Sequence, residues 1–91
     1  MRLKVITQDK GLELDREVCL VEGDGIDGQF GILEGHIDFV TSIKADGAIR
    51  YQTQKDSPIK ELRLSQGLLE VINSKDHKTE IRVLSASILE K

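Results

Sequence analysis

The fold of this 91-residue chain is decided by the stretch GQFGILEGHIDFVT, residues 28–41. Its three glycines, Gly28, Gly31 and Gly35, interrupt β-branched and aromatic side chains. A helix here would be destabilised by up to about 1 kcal/mol at each glycine. Short strands broken by tight corners tolerate glycine, because the missing Cβ lets one backbone approach another. The stretch therefore predicts a strand, a corner and a second strand.

Elsewhere, apolar and polar residues alternate in short runs that are typical of half-buried strands. Gly23-Asp24-Gly25 is expected to end an apolar run at 18–21. Some eight to ten strands without a convincing helix predict an all-β fold. We expect one domain, residues 1–91, folded as an antiparallel β-sandwich or flattened barrel of about ten short strands.

Residues 57–72 are the one ambiguous segment. Ser57 could cap a helix and Pro58 could occupy its first position. The capping box fails because Lys60 stands where an acid is needed, and Gly67 would fall inside the helix. Strands over 61–66 and 68–72 are therefore the preferred interpretation.

A chain of this length buries only about 60–65% of its unfolded surface, so a large catalytic cleft is not expected. The three aromatic residues are too few to fill a core, which must be built from Leu, Ile and Val. The alternation predicts burial for one residue of most strands: Val5, Leu20, Ile32, Phe39, Ile49, Leu69 and Val83.

The composition excludes several functional classes. A net charge of −3 without a basic stripe argues against nucleic-acid binding. The single cysteine, Cys19, cannot form an internal disulfide and is interpreted as a small buried hydrophobe. No apolar window approaches the roughly 18 residues of a membrane span. We expect a soluble, cytoplasmic protein that reaches a membrane only through a partner.

Three patterns resemble chemical sites, and none predicts one. Residues 23–28 match the dinucleotide motif G-x-G-x-x-G, but a strand rather than a helix is predicted after them. Asp24 and Asp27 lack the alternating oxygen ligands of a calcium loop, so we interpret them as a solvated acidic loop. His36 and Asp38 could form an acid–base pair, but no nucleophile or oxyanion-hole signature accompanies them. His36 is better interpreted as a structural or interface residue, and no catalytic, cofactor-binding or metal-binding residue is predicted.

The stretch of residues 28–41 resembles the N-terminal domain of the epsilon subunit of F-type ATP synthases. The shared residues are Gly28, Phe30, Gly31, Ile32, Leu33, Gly35, His36 and Gly47. Residues 65–71 are similar to a later segment of that family, and residues 81–86 are similar to its closing strand. The resemblance spans nearly the whole chain.

Glu34 and Asp38 depart from this pattern, because the family usually has proline at both positions. The Asp-Phe pair after the histidine resembles the alternate, sodium-type branch of the F-ATPases. Most family members also append two C-terminal helices, which we do not expect in a chain that ends at Lys91. The resemblance implies a ten-stranded sandwich that clamps the gamma subunit to the ring of c subunits, peripheral to the cytoplasmic face of the membrane.

The resemblance also implies two sets of interface residues. Those expected to face the gamma subunit are Gln8, His36, Ile37, Asp38 and Phe39. Those expected to face the c ring are Asp24, Asp27, Gln29 and Glu34. Reversing both aspartates to Lys is expected to weaken c-ring assembly and to leave the fold intact. A generic β-sandwich module that binds a peptide or small ligand is the alternative function, and a small hydrolase ranks third.

Overall fold

The computed structural model describes residues 1–90. No helix forms in residues 57–72, so the strand interpretation of that segment is confirmed. The described residues form ten strands: β1 (Arg2–Thr7), β2 (Gly11–Glu17), β3 (Leu20–Gly25), β4 (Gly28–Ile32), β5 (Phe39–Ile43), β6 (Ala48–Gln52), β7 (Lys60–Leu64), β8 (Gly67–Asn73), β9 (Thr79–Ser85) and β10 (Ile88–Glu90).

The strands pair in the order β10-β7-β6-β3-β5-β8-β9-β1-β2, and β4 pairs with β3. β3 pairs with β6 over four residues but with β5 only through Gly25 opposite Ile43. This narrow junction divides the sheet into a first leaf, β10-β7-β6-β3-β4, and a second leaf, β5-β8-β9-β1-β2. The all-β sandwich is confirmed, with one difference from the predicted antiparallel pairing. β1 and β9 run parallel, which alternation within single strands cannot reveal.

A single apolar core unites the two leaves, because alternate side chains of each strand point inward. Five of the seven predicted core residues are buried, namely Val5, Ile32, Ile49, Leu69 and Val83. Leu20 and Phe39 are only half-buried. In β3 the inward positions begin at Val21, so Leu20 takes the opposite face. Phe39 lies at the margin of the core, with its ring edge-on to Phe30 at a centroid distance of 6.0 Å.

Cys19 is exposed, so its predicted burial is wrong. The apolar run at 18–21 is not one strand, since β2 ends at Glu17 and β3 begins at Leu20. The chain crosses between strands at residues 18 and 19, where Val18 is buried and Cys19 points outward. The Sγ atom of Cys19 lies 3.8 Å from Oε1 of Gln52.

Gly23-Asp24-Gly25 does not end a strand as expected, because β3 continues through Gly25. The chain reverses at Ile26 and Asp27, and β4 returns alongside β3. Gly23 and Gly25 face inward; a Cβ on Gly23 would collide with the Phe30 ring, and one on Gly25 would lie 2.8 Å from the Gly28 carbonyl oxygen. These glycines of the dinucleotide-like motif therefore serve packing within a β-hairpin.

We predict that Gly67→Ala destabilises the domain while Gly31→Ala does not. A Cβ at Gly67 would lie 2.7 Å from the carbonyl oxygen of Leu84, which β8–β9 pairing holds in place. Overpacking of this kind costs about 1–3 kcal/mol of unfolding free energy. Gly31 has open space around the corresponding position. Urea denaturation of both variants measures the difference, and equal stabilities would contradict the close approach of β8 to β9.

Candidate functional site

The sandwich has two ends, and one row of paired residues marks the first of them. The row passes from β3 through β5, β8 and β9 to β1, and its members are Gly25, Ile43, Gly67, Ser85 and Thr7. The β3–β4 turn lies just beyond this row, and we call this the hairpin end. At the opposite end, β4 leads into β5 through residues 33–38, which we call the corner.

The residues predicted to face the c ring are divided between these two ends. Asp24, Asp27 and Gln29 lie in the β3–β4 hairpin, and Gln29 is paired with Asp24 across it. Glu34 lies in the corner instead, where its Oε2 is 3.0 Å from the α-amino nitrogen of Met1.

The residues predicted to face the gamma subunit are divided in the same way. His36, Ile37 and Asp38 lie in the corner, and Phe39 opens β5 directly after it. Gln8 follows β1 at the hairpin end, where its backbone nitrogen donates to the Ser85 carbonyl at 2.9 Å. The length of β1, about 16 Å from Arg2 to Thr7, separates the two ends. Gln8 and Glu34 therefore each lie at the end occupied by the other predicted set.

Asp24 is not part of a solvated acidic loop, which corrects that interpretation. Its side chain is 18% exposed, and Oδ1 accepts from the Arg50 guanidinium at 3.0 Å. Oδ2 accepts from the Ala48 backbone nitrogen at 3.0 Å. These two bonds, with Arg50 the larger cause, lower the pKa of Asp24 below its ordinary value. Asp24 therefore anchors the hairpin to β6, whereas Asp27 is exposed at the turn.

The corner is held by the side chains of Asn73 and Thr79. Asn73 Nδ2 donates to the His36 carbonyl at 2.6 Å and to Asp38 Oδ1 at 2.8 Å. Thr79 Oγ1 donates to Asn73 Oδ1 at 2.7 Å and accepts from the Gly35 nitrogen at 3.0 Å.

His36 Nδ1 lies 2.7 Å from the carbonyl oxygen of Ile37, and its ring meets Phe39 edge-on. The Asp38 carboxylate accepts from both nitrogens of Asn73. These partners give His36 and Asp38 structural roles in the corner, in place of the acid–base pair considered from the sequence.

The second leaf exposes apolar side chains on its outer face. Across the strands, Leu68 pairs with Leu84, Leu84 with Ile6, and Ile6 with Leu12. Val40 on β5 extends this row toward the corner and is 62% exposed. We call these five residues the apolar band. Ile37, in the corner, is 76% exposed.

The same outer face carries several paired charges. Glu80 lies 3.4 Å from Lys4 and also binds Arg82, while Arg2 binds Asp15 and Glu17. These ion pairs lie beside the apolar band, and Glu70 and Ile72 of β8 share the face with them. Exposed apolar patches of this kind mark interaction sites.

The apolar band was missed in the sequence, although a signal for it exists. Val5-Ile6, Leu68-Leu69 and Val83-Leu84 are adjacent apolar pairs within alternating strands. In such a pair one residue fills the core and the other must face outward. Three such pairs on adjacent strands indicate an apolar outer surface.

The described residues offer little for small-molecule chemistry. A groove of about 490 Å³, partly lined by Leu14, Tyr51, Leu62 and Ile88, lies between β2 and the opposite edge of the sheet. Within residues 1–90, no three His, Cys, Asp or Glu side chains are grouped to hold a metal ion. No helix in this part of the chain has the length and apolar character needed to cross a membrane.

The chain is thus an all-β sandwich domain with exposed apolar side chains on one outer face. The family model of the ATP synthase delta/epsilon chain beta-sandwich domain matches residues 1–90. The chain belongs to this family, which confirms the resemblance to the epsilon subunit's N-terminal domain.

Two relatives illustrate the sequence similarity. The ATP synthase epsilon chain of Geotalea daltonii is 37% identical over 75 residues, covering 82% of this chain and 51% of the relative. That of Desulfosudis oleivorans is 38% identical over 74 residues, covering 79% and 52%. The chain spans about half the length of the curated relatives it matches.

Two solved structures share the fold at low sequence identity. A chain of the Euglena gracilis mitochondrial ATP synthase, in a structure of its OSCP/F1/c-ring, has a TM-score of 0.78 at 16% identity. The alignment covers 97% of this chain and 51% of that one. A chain of the Tetrahymena thermophila mitochondrial ATP synthase central stalk/c-ring has a TM-score of 0.76 at 7% identity, covering 99% and 66%.

We predict that Asp24→Asn costs about 1.5–3 kcal/mol of unfolding free energy at pH 7, the range for a hydrogen bond to a charged group. Because the folded-state pKa is lowered, the carboxylate stabilises the fold above its unfolded pKa, about 3.9. This stabilisation is lost as pH falls through the folded value.

The measurement is urea denaturation between pH 7 and pH 2. The difference between wild type and Asp24→Asn should shrink toward low pH, while exposed Asp27→Asn should match wild type at pH 7. Because Asp24 makes these bonds and Asp27 is exposed, we now expect the fold to survive reversal to Lys at Asp27 and to be destabilised by it at Asp24. A stable Asp24→Lys variant would contradict the anchoring role.

Proposed function

We propose that this chain is a non-catalytic rotor subunit of an F-type ATP synthase that couples the gamma subunit to the c ring. Family membership supports the assembly, and the two solved neighbours come from a c-ring-containing ATP synthase and from a central stalk with its c-ring. The observation that carries a binding role is the apolar surface of the second leaf and corner. The chain would work peripherally at the cytoplasmic face of a membrane.

The gamma subunit is proposed to dock on the second leaf. Gln8 and Ile37 lie at opposite ends of this leaf, so a partner that contacts both must cross its outer face. The apolar band lies on that outer face, and covering it would stabilise the complex by roughly 25 cal/mol per Å² of apolar area. We propose that the gamma subunit covers the predicted gamma set and the apolar band together.

The c ring is proposed to meet the hairpin end. Ile26, Asp27 and Gln29 are exposed at the β3–β4 hairpin, and Asp24 fixes the hairpin to β6 from beneath. The Asp27 carboxylate would guide docking onto basic or polar loops of the c subunits. Glu34 is too far from this hairpin to share one small contact with it.

The alternative, a module for a peptide or small ligand, would use the groove between β2 and the opposite edge. Binding of gamma distinguishes the two functions, because that groove lies away from the outer face of the second leaf.

We predict that Ile37→Asp weakens gamma binding by about tenfold or more, since roughly 1.5–3 kcal/mol of apolar burial is lost. Thermal stability should stay near wild type, because Ile37 is exposed in the free domain. The matched control is Ile59→Asp, an exposed isoleucine of the β6–β7 loop. Calorimetric titration with purified gamma subunit measures both variants.

The outcomes separate three cases. Native affinity of Ile37→Asp would put the proposed interface in the wrong place. Loss of folding would assign Ile37 to the core. An equal loss in Ile59→Asp would point to a general effect of charge.

We predict that Asp27→Lys weakens attachment to the c ring and leaves both fold and gamma binding intact. The matched control is Asp76→Lys, at an exposed position of the β8–β9 turn beyond the opposite end of β8. Co-sedimentation of the gamma complex with c-ring vesicles at low salt measures attachment, because exposed charges are screened at high salt. Unchanged attachment of Asp27→Lys would remove the electrostatic contact from the proposal.

A further inference from the structure

The corner carries Ile37, the most exposed large apolar side chain of the described residues. The corner itself has no regular strand pairing, since residues 33–38 lie between β4 and β5. Within the corner the His36 nitrogen donates to the Leu33 carbonyl at 3.0 Å, and side chains from elsewhere add further bonds. Those of Asn73, at the end of β8, and Thr79, at the start of β9, reach it.

Asn73 is the central member of this set. Its Nδ2 bridges the His36 carbonyl and Asp38 Oδ1, the residues on either side of Ile37. Its backbone nitrogen adds a third bond to Asp38 Oδ1 at 3.0 Å. Its Oδ1 accepts from Thr79, which in turn holds the Gly35 nitrogen. The Asn73 side chain thus forms hydrogen bonds with the residues before and after the exposed Ile37.

We infer that Asn73 is a positioning residue that sets the presentation of Ile37 and thereby the affinity for gamma. The inference rests on the proposed function, since it concerns the same binding surface. Only an amide suits this place, because the nitrogen must donate to two oxygens while the oxygen accepts from a hydroxyl. A carboxylate of the same shape would accept from Thr79 but would face the His36 carbonyl and the Asp38 carboxylate without a proton to donate.

The test is Asn73→Asp, which keeps the shape of the side chain and replaces its donating amide nitrogen with an accepting carboxylate oxygen. Binding to purified gamma subunit should weaken at least about tenfold, or about 1.4 kcal/mol. Amide hydrogen exchange at Gly35 and His36 should accelerate by a similar factor, while core strands keep their protection. The matched control is Gln54→Glu, which adds one negative charge at an exposed position of the β6–β7 loop and should bind gamma like wild type.

A double-mutant cycle separates positioning from charge alone. In Asp38→Asn the opposing carboxylate is gone, and the new amide can donate to a carboxylate at position 73. Adding Asn73→Asp in that background should therefore cost less than about threefold in affinity, against tenfold in wild type. If Asn73→Asp alone fails to fold, the double variant still tests the inference, because it must fold and bind within that range of Asp38→Asn.

The outcomes are distinct. Failure of the wild-type chain to bind gamma would remove the proposed function itself. Wild-type binding with no loss in Asn73→Asp would overturn the positioning role alone. A loss of affinity without faster exchange at Gly35 and His36, an equal loss in Gln54→Glu, or a full tenfold loss in the Asp38→Asn background would also overturn it.

Discussion

The structure depends on the contacts that Asp24 makes where the two leaves join. The leaves share a single residue pair, Gly25 with Ile43. At this point the Asp24 carboxylate binds Arg50 and the Ala48 nitrogen in β6, while its carbonyl oxygen accepts from Lys44 at 3.2 Å, just after β5. One residue therefore ties β3 to β6 within the first leaf and to the end of β5 in the second. Its low exposure strengthens these bonds, because nearby water competes less for the charged groups.

The strands were largely predictable because alternation is a local property of the sequence. Each core residue needs only its own strand to place it on a face, as Val5, Ile49 and Val83 illustrate. The errors arose where adjacent residues were both apolar. At Leu20 and Val21 either phase satisfies the sequence, and in the structure Val21 pairs with the buried residues Ile32 and Tyr51 and points inward. The parallel pairing of β1 with β9 could not be predicted for a different reason. It joins segments nearly eighty residues apart, and alternation within one strand carries no information about its neighbour.

The candidate surface was predictable in part. Ile37 belongs to the set that the resemblance implies to face the gamma subunit, and its exposure in the free domain agrees with that set. Gln8 lies far from the corner because β1 ends at the hairpin end of the sandwich. Glu34 lies far from the hairpin because β4 runs from one end of the sandwich to the other. Asp24 looked like any loop acid because Arg50 lies 26 residues away. The role of Asn73 had no local signal in the sequence, because the residues that it holds lie 35 and 37 positions before it.

The same separation of ends suits the proposed coupling role. A body that transmits force between two partners needs two contact sites whose relative position does not change. The hairpin is fixed to β6 by charged hydrogen bonds, and the corner is fixed to β8 and β9 by Asn73 and Thr79. The hydrogen-bonded strands β5, β8 and β9 connect the two ends.

The resembled family has prolines at the positions of Glu34 and Asp38. In this chain the side chains of these two residues bind the Met1 amine and Asn73 instead. Proline restrains a corner through its fixed φ angle, and here hydrogen bonds and an ion pair restrain it instead. With these side chains in place of proline, the conformation of the corner depends on Asn73 of β8 and Thr79 of β9. The position of Ile37 is therefore fixed only as long as β8 and β9 keep their own positions.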